Sequence, residues 1–274
     1  MWPPGAPRKS MTLEHPRQVE QAIGRAVESF IDSAPARSVA LESLRGPSVR
    51  ASASAGTVRP AASVLKLPLV ATVRDAAREG RVDAALRLCV GELHPTAYPS
   101  ILGALSPRRE LDLDELCGLC LVTSDNPIAS WLLELVGVDA VNEKLREIGC
   151  LDSRLKASFS DDLLAGDGRV NVTTARDGLA MARRLIADDP WIDRILRGNL
   201  RNTRISLRLP PTRPAPHKTG SLPGVANDIG VVYGERADFA VAFLCDHEGD
   251  TARAGIAIGD CVAAICAALG ETPV

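Results

Sequence analysis

From Pro16 to Ile31 apolar residues fall at Val19, Ile23, Ala26, Val27 and Phe30, a spacing that predicts a helix with one buried stripe. The period then changes. Ser38–Leu44 and Ser48–Ser54 alternate at period two around Arg45-Gly46-Pro47, which predicts a hairpin. A long helical pattern follows from Ser63 to about Glu79, with Pro68 early enough in it to be tolerated.

From about Val82 to Leu200 the period stays helical with few strand signals. Asp112 or Asp114 caps a helix carrying Leu116 to Leu121, Asn126-Pro127 opens another that stops at Gly137, and a third runs from about Asp139 to Ile148. The stretch 158–171 is polar and rich in Gly and Asp, and reads as a loop long enough to be functional. Thr173 or Thr174 then caps the helix ARDGLAMARRLI. Past Leu200, Pro210, Pro211, Pro214 and Pro216 lead into three β-rich runs, HKTGSL, DIGVVYG and DFAVAFLCD, with turns at Leu222–Asn227 and Gly234–Ala237. A last amphipathic helix runs from about Asp250 to Leu269. Strands at both ends around a helical middle predict an α+β fold whose terminal segments share one sheet. The expected division is a disordered tail at 1–15, a sheet lobe from 16–62 and 205–274, and an all-α lobe from 63–204, together one domain.

Composition narrows the picture modestly. A chain of 274 residues with 46% hydrophobic content buries a sizeable core, and with aromatics at 3% that core is built from Leu, Val, Ile and Ala. A formal charge of -2 gives no reason to expect nucleic acid or an acidic membrane surface as a partner. The sequence has no run of apolar residues long enough to predict a membrane span, and its N-terminus lacks the apolar region of a secretory signal. Met11 is an alternative start. Seven cysteines, an odd number spread through apolar segments, fit buried, reduced thiols, so a cytoplasmic location is expected, and a secreted one only if the start site is misassigned. Cys117-x-x-Cys120 has no second Cys/His pair at zinc-ligand spacing and reads as two core residues on one helix, as do Cys261 and Cys266. No metal or cofactor is expected, and oligomeric state is left open.

Three short motifs carry candidate chemistry: Ser63-Val64-Leu65-Lys66 at a helix start, Ser124-Asp125-Asn126 between two helices, and Lys218-Thr219-Gly220 on a strand. Each alone has an ordinary structural explanation, such as a capping serine or a solvated lysine. Together, in this order and context, they describe a nucleophile and its activation. Positions i and i+3 share a helix face, so the Lys66 amine lies within reach of the Ser63 hydroxyl, which is inert without an adjacent base. A lysine serves as that base only if burial or a nearby cation lowers its pKa, and Lys218 is such a neighbour. The backbone N–H groups of Ser63 and Ser221 are candidates for an oxyanion hole. His217, just before the third motif, reads as a structural strand residue or as a tuner of Lys218.

On these motifs the chain resembles the class A β-lactamase and penicillin-binding-protein group of serine hydrolases. The matching stretches are AASVLKLPL, LDLDELCGLCLVTSDNPIASWLLELVG and HKTGSLPGVANDIGVVYG, and the resemblance covers about residues 16 to 270. It implies an antiparallel sheet flanked by helices plus an all-α lobe, with the site between them. It further implies an acyl-enzyme on Ser63, Lys66 as base, Ser124 and Lys218 returning the proton to the leaving group, and substrate held by Asn126, Thr219 and Gly220. The glycine is expected to let the substrate backbone lie along the strand edge without a Cβ in the way. A small-molecule β-lactam or related amide or ester is the implied substrate, and antibiotic resistance the implied biology. One departure matters. The loop that in class A enzymes carries a Glu-x-x-Leu-Asn motif here reads KASFSDDLLAGDGRVNVTT, without glutamate. Asp161 or Asp162 is the candidate stand-in, one methylene shorter. The alternatives are therefore a penicillin-binding or sensing module without efficient turnover, a D-peptidase or esterase of the same fold, or a glutaminase.

Overall fold

The computed structural model describes residues 16–96, 98–159 and 170–271. The expected tail at 1–15 and the candidate bases Asp161 and Asp162 lie outside these described residues.

Helix α1 (Pro16–Asp32) buries Val19, Ile23, Ala26, Val27 and Phe30, the stripe its sequence predicts. Strands β1 (Arg37–Arg45) and β2 (Arg50–Ala53) form the hairpin. After β3 (Arg59–Pro60), a 3-10 turn (Ala62–Leu65) runs straight into α2 (Lys66–Arg78). The middle of the chain holds α3 (Leu113–Val122), α4 (Asn126–Val136) and α5 (Val138–Glu147). It also holds α6 (Ala175–Met181), continued as a π-helix through Ala187, and α7 (Pro190–Leu196). Three short strands there escape the periodicity: β4 (Arg87–Cys89) pairs with β5 (Glu110–Asp112), and β6 (Val172–Thr173) with β3. Two or three residues are too few for alternation to register. Strands β7 (His217–Leu222), β8 (Val225–Tyr233) and β9 (Asp238–Cys245) precede the last helix, α8 (Thr251–Ala268).

The fold is α+β, with a five-stranded antiparallel sheet in the order β2-β1-β9-β8-β7. Period-two alternation divides the core between its faces. Val39, Leu41, Phe239, Val241 and Phe243 meet α1 and α8, with the Phe30 and Phe243 rings edge to face at 5.0 Å. Ile229, Val231, Ala240 and Ala242 meet the helical layer, together with Leu67, Leu116 and Ile128. Helix α8 is long and apolar enough to cross a membrane, yet eight of its residues are buried. On the opposite face α6 approaches so closely that a Cβ on Gly178 would lie 2.9 Å from the Ala242 methyl.

Two local features set up the site. The turn between β7 and β8 is shorter than the expected Leu222–Asn227: Pro223-Gly224, with Gly224 at φ +73°, reverses the chain in two residues and pairs Leu222 with Val225. Consequently β7 and β8 stay in register up to that turn. Strand β7 is an edge strand, and at Gly220 one of its faces lies against the turn that begins α2.

Candidate active site

Ser63 sits on the 3-10 turn, where residues i and i+3 eclipse, so Lys66 follows on the same face. Their side chains are not hydrogen-bonded to each other. The buried Lys66 amine instead donates to the Ser124 carbonyl at 2.6 Å, to Ser124 Oγ at 3.4 Å and to Asn126 Oδ1, and it lies 5.2 Å from the centre of the Phe159 ring. Asn126 Nδ2 donates to the Phe159 carbonyl at 3.1 Å.

Ser124 joins the three motifs. Its Oγ accepts from Lys218 Nζ at 2.9 Å as well as from Lys66, so one hydroxyl bridges two buried amines. Its backbone is left-handed, φ +60°, a conformation unfavourable for a side-chain-bearing residue that must be held by its neighbours. Buried Asp125 does much of that holding. One carboxylate oxygen caps α4 through Ile128 N, and the other accepts from Ile101 N at 3.0 Å and from the Ser100 hydroxyl.

Alternation along β7 explains the third motif. Lys218 and Gly220 pair with Ile229 and Asn227, while His217, Thr219 and Ser221 point to the other face. Lys218 thus turns toward Ser124. Burial, and then repulsion from Lys66, hold its pKa well below the ordinary 10.5. Val231 N donates to Pro216 O, and the antiparallel ladder then places the Ser221 N–H on the side away from β8. Thr219 Oγ1 is buried with no hydrogen-bond partner among the described residues. Both Thr219 and Ser221 line a cleft of about 160 Å³ with Ser63, Ser124 and Asn126.

The sequence matches the model described as "Beta-lactamase enzyme family" over residues 19–269. The chain belongs to this family. No curated protein sequence matches it. A β-lactamase from Sphaerobacter thermophilus shares 24% identity at a TM-score of 0.80, covering 91% of this chain and 97% of its own. A class A β-lactamase from Bacteroides cellulosilyticus shares 22% at a TM-score of 0.78, covering 92% and 98%. A point mutant of PBP-A, solved as an acyl-enzyme complex with penicillin G, shares 22% at a TM-score of 0.75, covering 93% and 97%. By family and fold the chain is thus of the β-lactamase type.

In this family member the structure brings Ser63, Lys66, Ser124, Asn126, Lys218, Thr219, Gly220 and Ser221 together. Gly220 also has a packing role that the strand pattern does not show. A Cβ on Gly220 would lie 2.8 Å from the Ala61 carbonyl oxygen and 3.2 Å from Ser63 N. The glycine therefore makes room for the turn that carries Ser63. His217 is buried on the face opposite Lys218, with Nδ1 2.9 Å from Asp228 Oδ1, as a structural residue would be. Cys117 and Cys120 are core residues of α3; burial pushes both thiols up, that of Cys120 to about 11.

Sequence reasoning missed the supporting residues. Asn227 Nδ2 donates to the Pro60 and Ala61 carbonyls at 2.8 and 3.2 Å, tying β8 to the chain just before Ser63. Buried Arg204 donates to the Gly220 and Asn227 carbonyls and to Ser221 Oγ. Arg201 lines the cleft and donates through Nε and Nη2 to the Thr123 carbonyl. The arginines lie in the segment between α7 and β7, where no periodicity marks which side chains turn inward.

Proposed function

We propose that the protein opens β-lactams or related amides and esters through an acyl-enzyme on Ser63. The observation that carries this is the bridge Lys66–Ser124–Lys218 beside Ser63 in one cleft. Ser63 Oγ attacks the carbonyl carbon, and Lys66 takes its proton as general base. The N–H groups of Ser63 and Ser221 hold the oxyanion. When the C–N bond breaks, the leaving nitrogen takes the Ser124 proton, and Lys66 returns the proton it carries to Ser124. Thr219 supplies its unpartnered hydroxyl to a carboxylate on the substrate. Water then attacks the ester, releasing the acid and restoring Ser63.

A second reading, a penicillin-binding or sensing protein that acylates without efficient turnover, is favoured by the absence of glutamate from 156–174. A cytoplasmic location belongs to the proposal on the strength of seven free thiols, and subcellular fractionation tests it. Intact-mass spectrometry with benzylpenicillin over time decides the chemistry. A covalent adduct that decays marks a β-lactamase, and one that persists marks the second reading. No adduct and no hydrolysis, or the same adduct on Ser63→Ala, refutes both. If the adduct decays quickly, expressing the protein raises the penicillin tolerance of a susceptible host.

A further inference from the structure

Arg201 is a cation of the cleft that the acylation scheme leaves unused. Its backbone N–H is held by Asn199 Oδ1 at 3.0 Å, and Nε and Nη2 donate to the Thr123 carbonyl at 3.1 and 3.0 Å. One edge of the guanidinium is thereby fixed. Nη1 makes no hydrogen bond and meets no carboxylate among the described residues, and the exposed Arg201 lines the cleft. None of the described residues lining the cleft is acidic. A planar guanidinium locked by one edge and open at the other is a pre-organised receptor for a carboxylate or sulfonate. Position says which part of a substrate it meets. Thr123 precedes Ser124, the residue placed to protonate the leaving group, so Arg201 stands on the leaving-group side. Thr219, on β7, offers a separate unpartnered hydroxyl for the first anion.

We propose that Arg201 forms a second anion subsite, so that the cleft favours substrates whose leaving-group half carries two anionic groups. The inference rests on the reading of Ser124 as the leaving-group side of the Ser63 site. An exposed charge pair of this kind is worth up to about fivefold in affinity and weakens with salt.

Cefamandole and cefonicid test it, since they share one acyl side chain and differ by a sulfonate on the leaving-group substituent. Dissociation constants are measured calorimetrically in Ser63→Ala, which uncouples binding from chemistry. The expected result is cefonicid bound about fivefold more tightly, a ratio near one in Ser63→Ala/Arg201→Gln, an intermediate ratio with Arg201→Lys, and a ratio that shrinks with added salt. Thermal melting of each variant confirms folding. Equal affinities before Arg201 is changed, a preference surviving Arg201→Gln, or binding of neither compound overturns the proposal. Equal weakening of both compounds by Arg201→Gln assigns Arg201 to holding the Ser124 loop and also overturns it. Adduct formation by the unmodified protein is read separately by mass, so failure of Ser63 to acylate is distinguished from failure of the subsite.

Discussion

Replacing Gly220 with alanine adds one methyl group where β7 crosses the nucleophile turn. The new Cβ would stand 2.8 Å from the Ala61 carbonyl oxygen, 3.2 Å from the Ala62 Cβ and 3.2 Å from Ser63 N. Two of these are backbone atoms and the third is fixed directly to the backbone, so no rotamer change relieves them. Restoring van der Waals contact requires the turn and the strand to separate by roughly half an ångström. The turn has little freedom to yield: Ala61 N donates to Asn171 O at 2.7 Å, Asn227 binds the Pro60 and Ala61 carbonyls, and Ala62 already sits at φ +50°. Overpacking of this kind costs about 1–3 kcal/mol. In a chain of this size that lowers Tm by roughly 2–10 °C. The same separation displaces Ser63 N from Ser221 and should slow acylation by about tenfold, given that an ångström of misplacement costs about a hundredfold. Differential scanning calorimetry and the rate of mass-adduct formation with benzylpenicillin measure the two effects. An unchanged Tm with only weakened substrate binding would refute the reasoning and leave the glycine with a substrate-facing role only.

Thr219→Val removes a buried hydroxyl that bonds to no described residue, so urea unfolding should give a stability within about 1 kcal/mol of the parent, while acylation falls about tenfold. A loss well beyond that would show the hydroxyl to be structural. Asp228→Ala strips hydrogen-bond partners from the buried His217 ring and from Ile205 N, and should cost about 3 kcal/mol by urea unfolding; a loss below 1 kcal/mol refutes the pair's importance. Lys218→Met probes the pH dependence. A lysine held below its ordinary pKa binds fewer protons folded than unfolded, so its charging penalty is absent above 10.5 and grows as pH falls from there toward the lowered folded value. The Tm of Lys218→Met relative to the parent should therefore fall as pH is raised from 7 toward 10. A difference independent of pH sinks the argument.

The sheet and the three motifs were legible because each depends on local signals. Alternation in DFAVAFLCD follows from one strand having two different faces, and Ser124-Asp125-Asn126 announces itself as a helix start because Asp125 caps α4. What could not be read are contacts between segments distant in sequence. Nothing in HKTGSL says that Gly220 abuts Ala61, since that depends on the crossing of β7 over the 3-10 turn. The expectation that Lys66 would reach for Ser63 came from i, i+3 spacing. That spacing was right about the face but silent about competitors: the Ser124 carbonyl and Asn126 Oδ1, about sixty residues along the chain, take the amine. Arg201 and Arg204 belong to the same class, being turned inward by carbonyls at Thr123 and Gly220.

The site concentrates positive charge against the interest of the fold. Lys66 and Lys218 are both buried and share one hydroxyl, while Arg201 and Arg204 stand close by. Two buried acids lie near, but both are committed. Asp125 serves Ser100, Ile101 and Ile128, and Asp228 serves His217 and Ile205, so neither forms a salt bridge with a site lysine. Burial, and then repulsion from Lys66, disfavour charge on Lys218. The repulsion that weakens the fold thus also lowers the proton affinity of Lys218. An anionic substrate relieves the repulsion when it binds, because it supplies the negative charge that the protein has kept out of the cleft among its described residues.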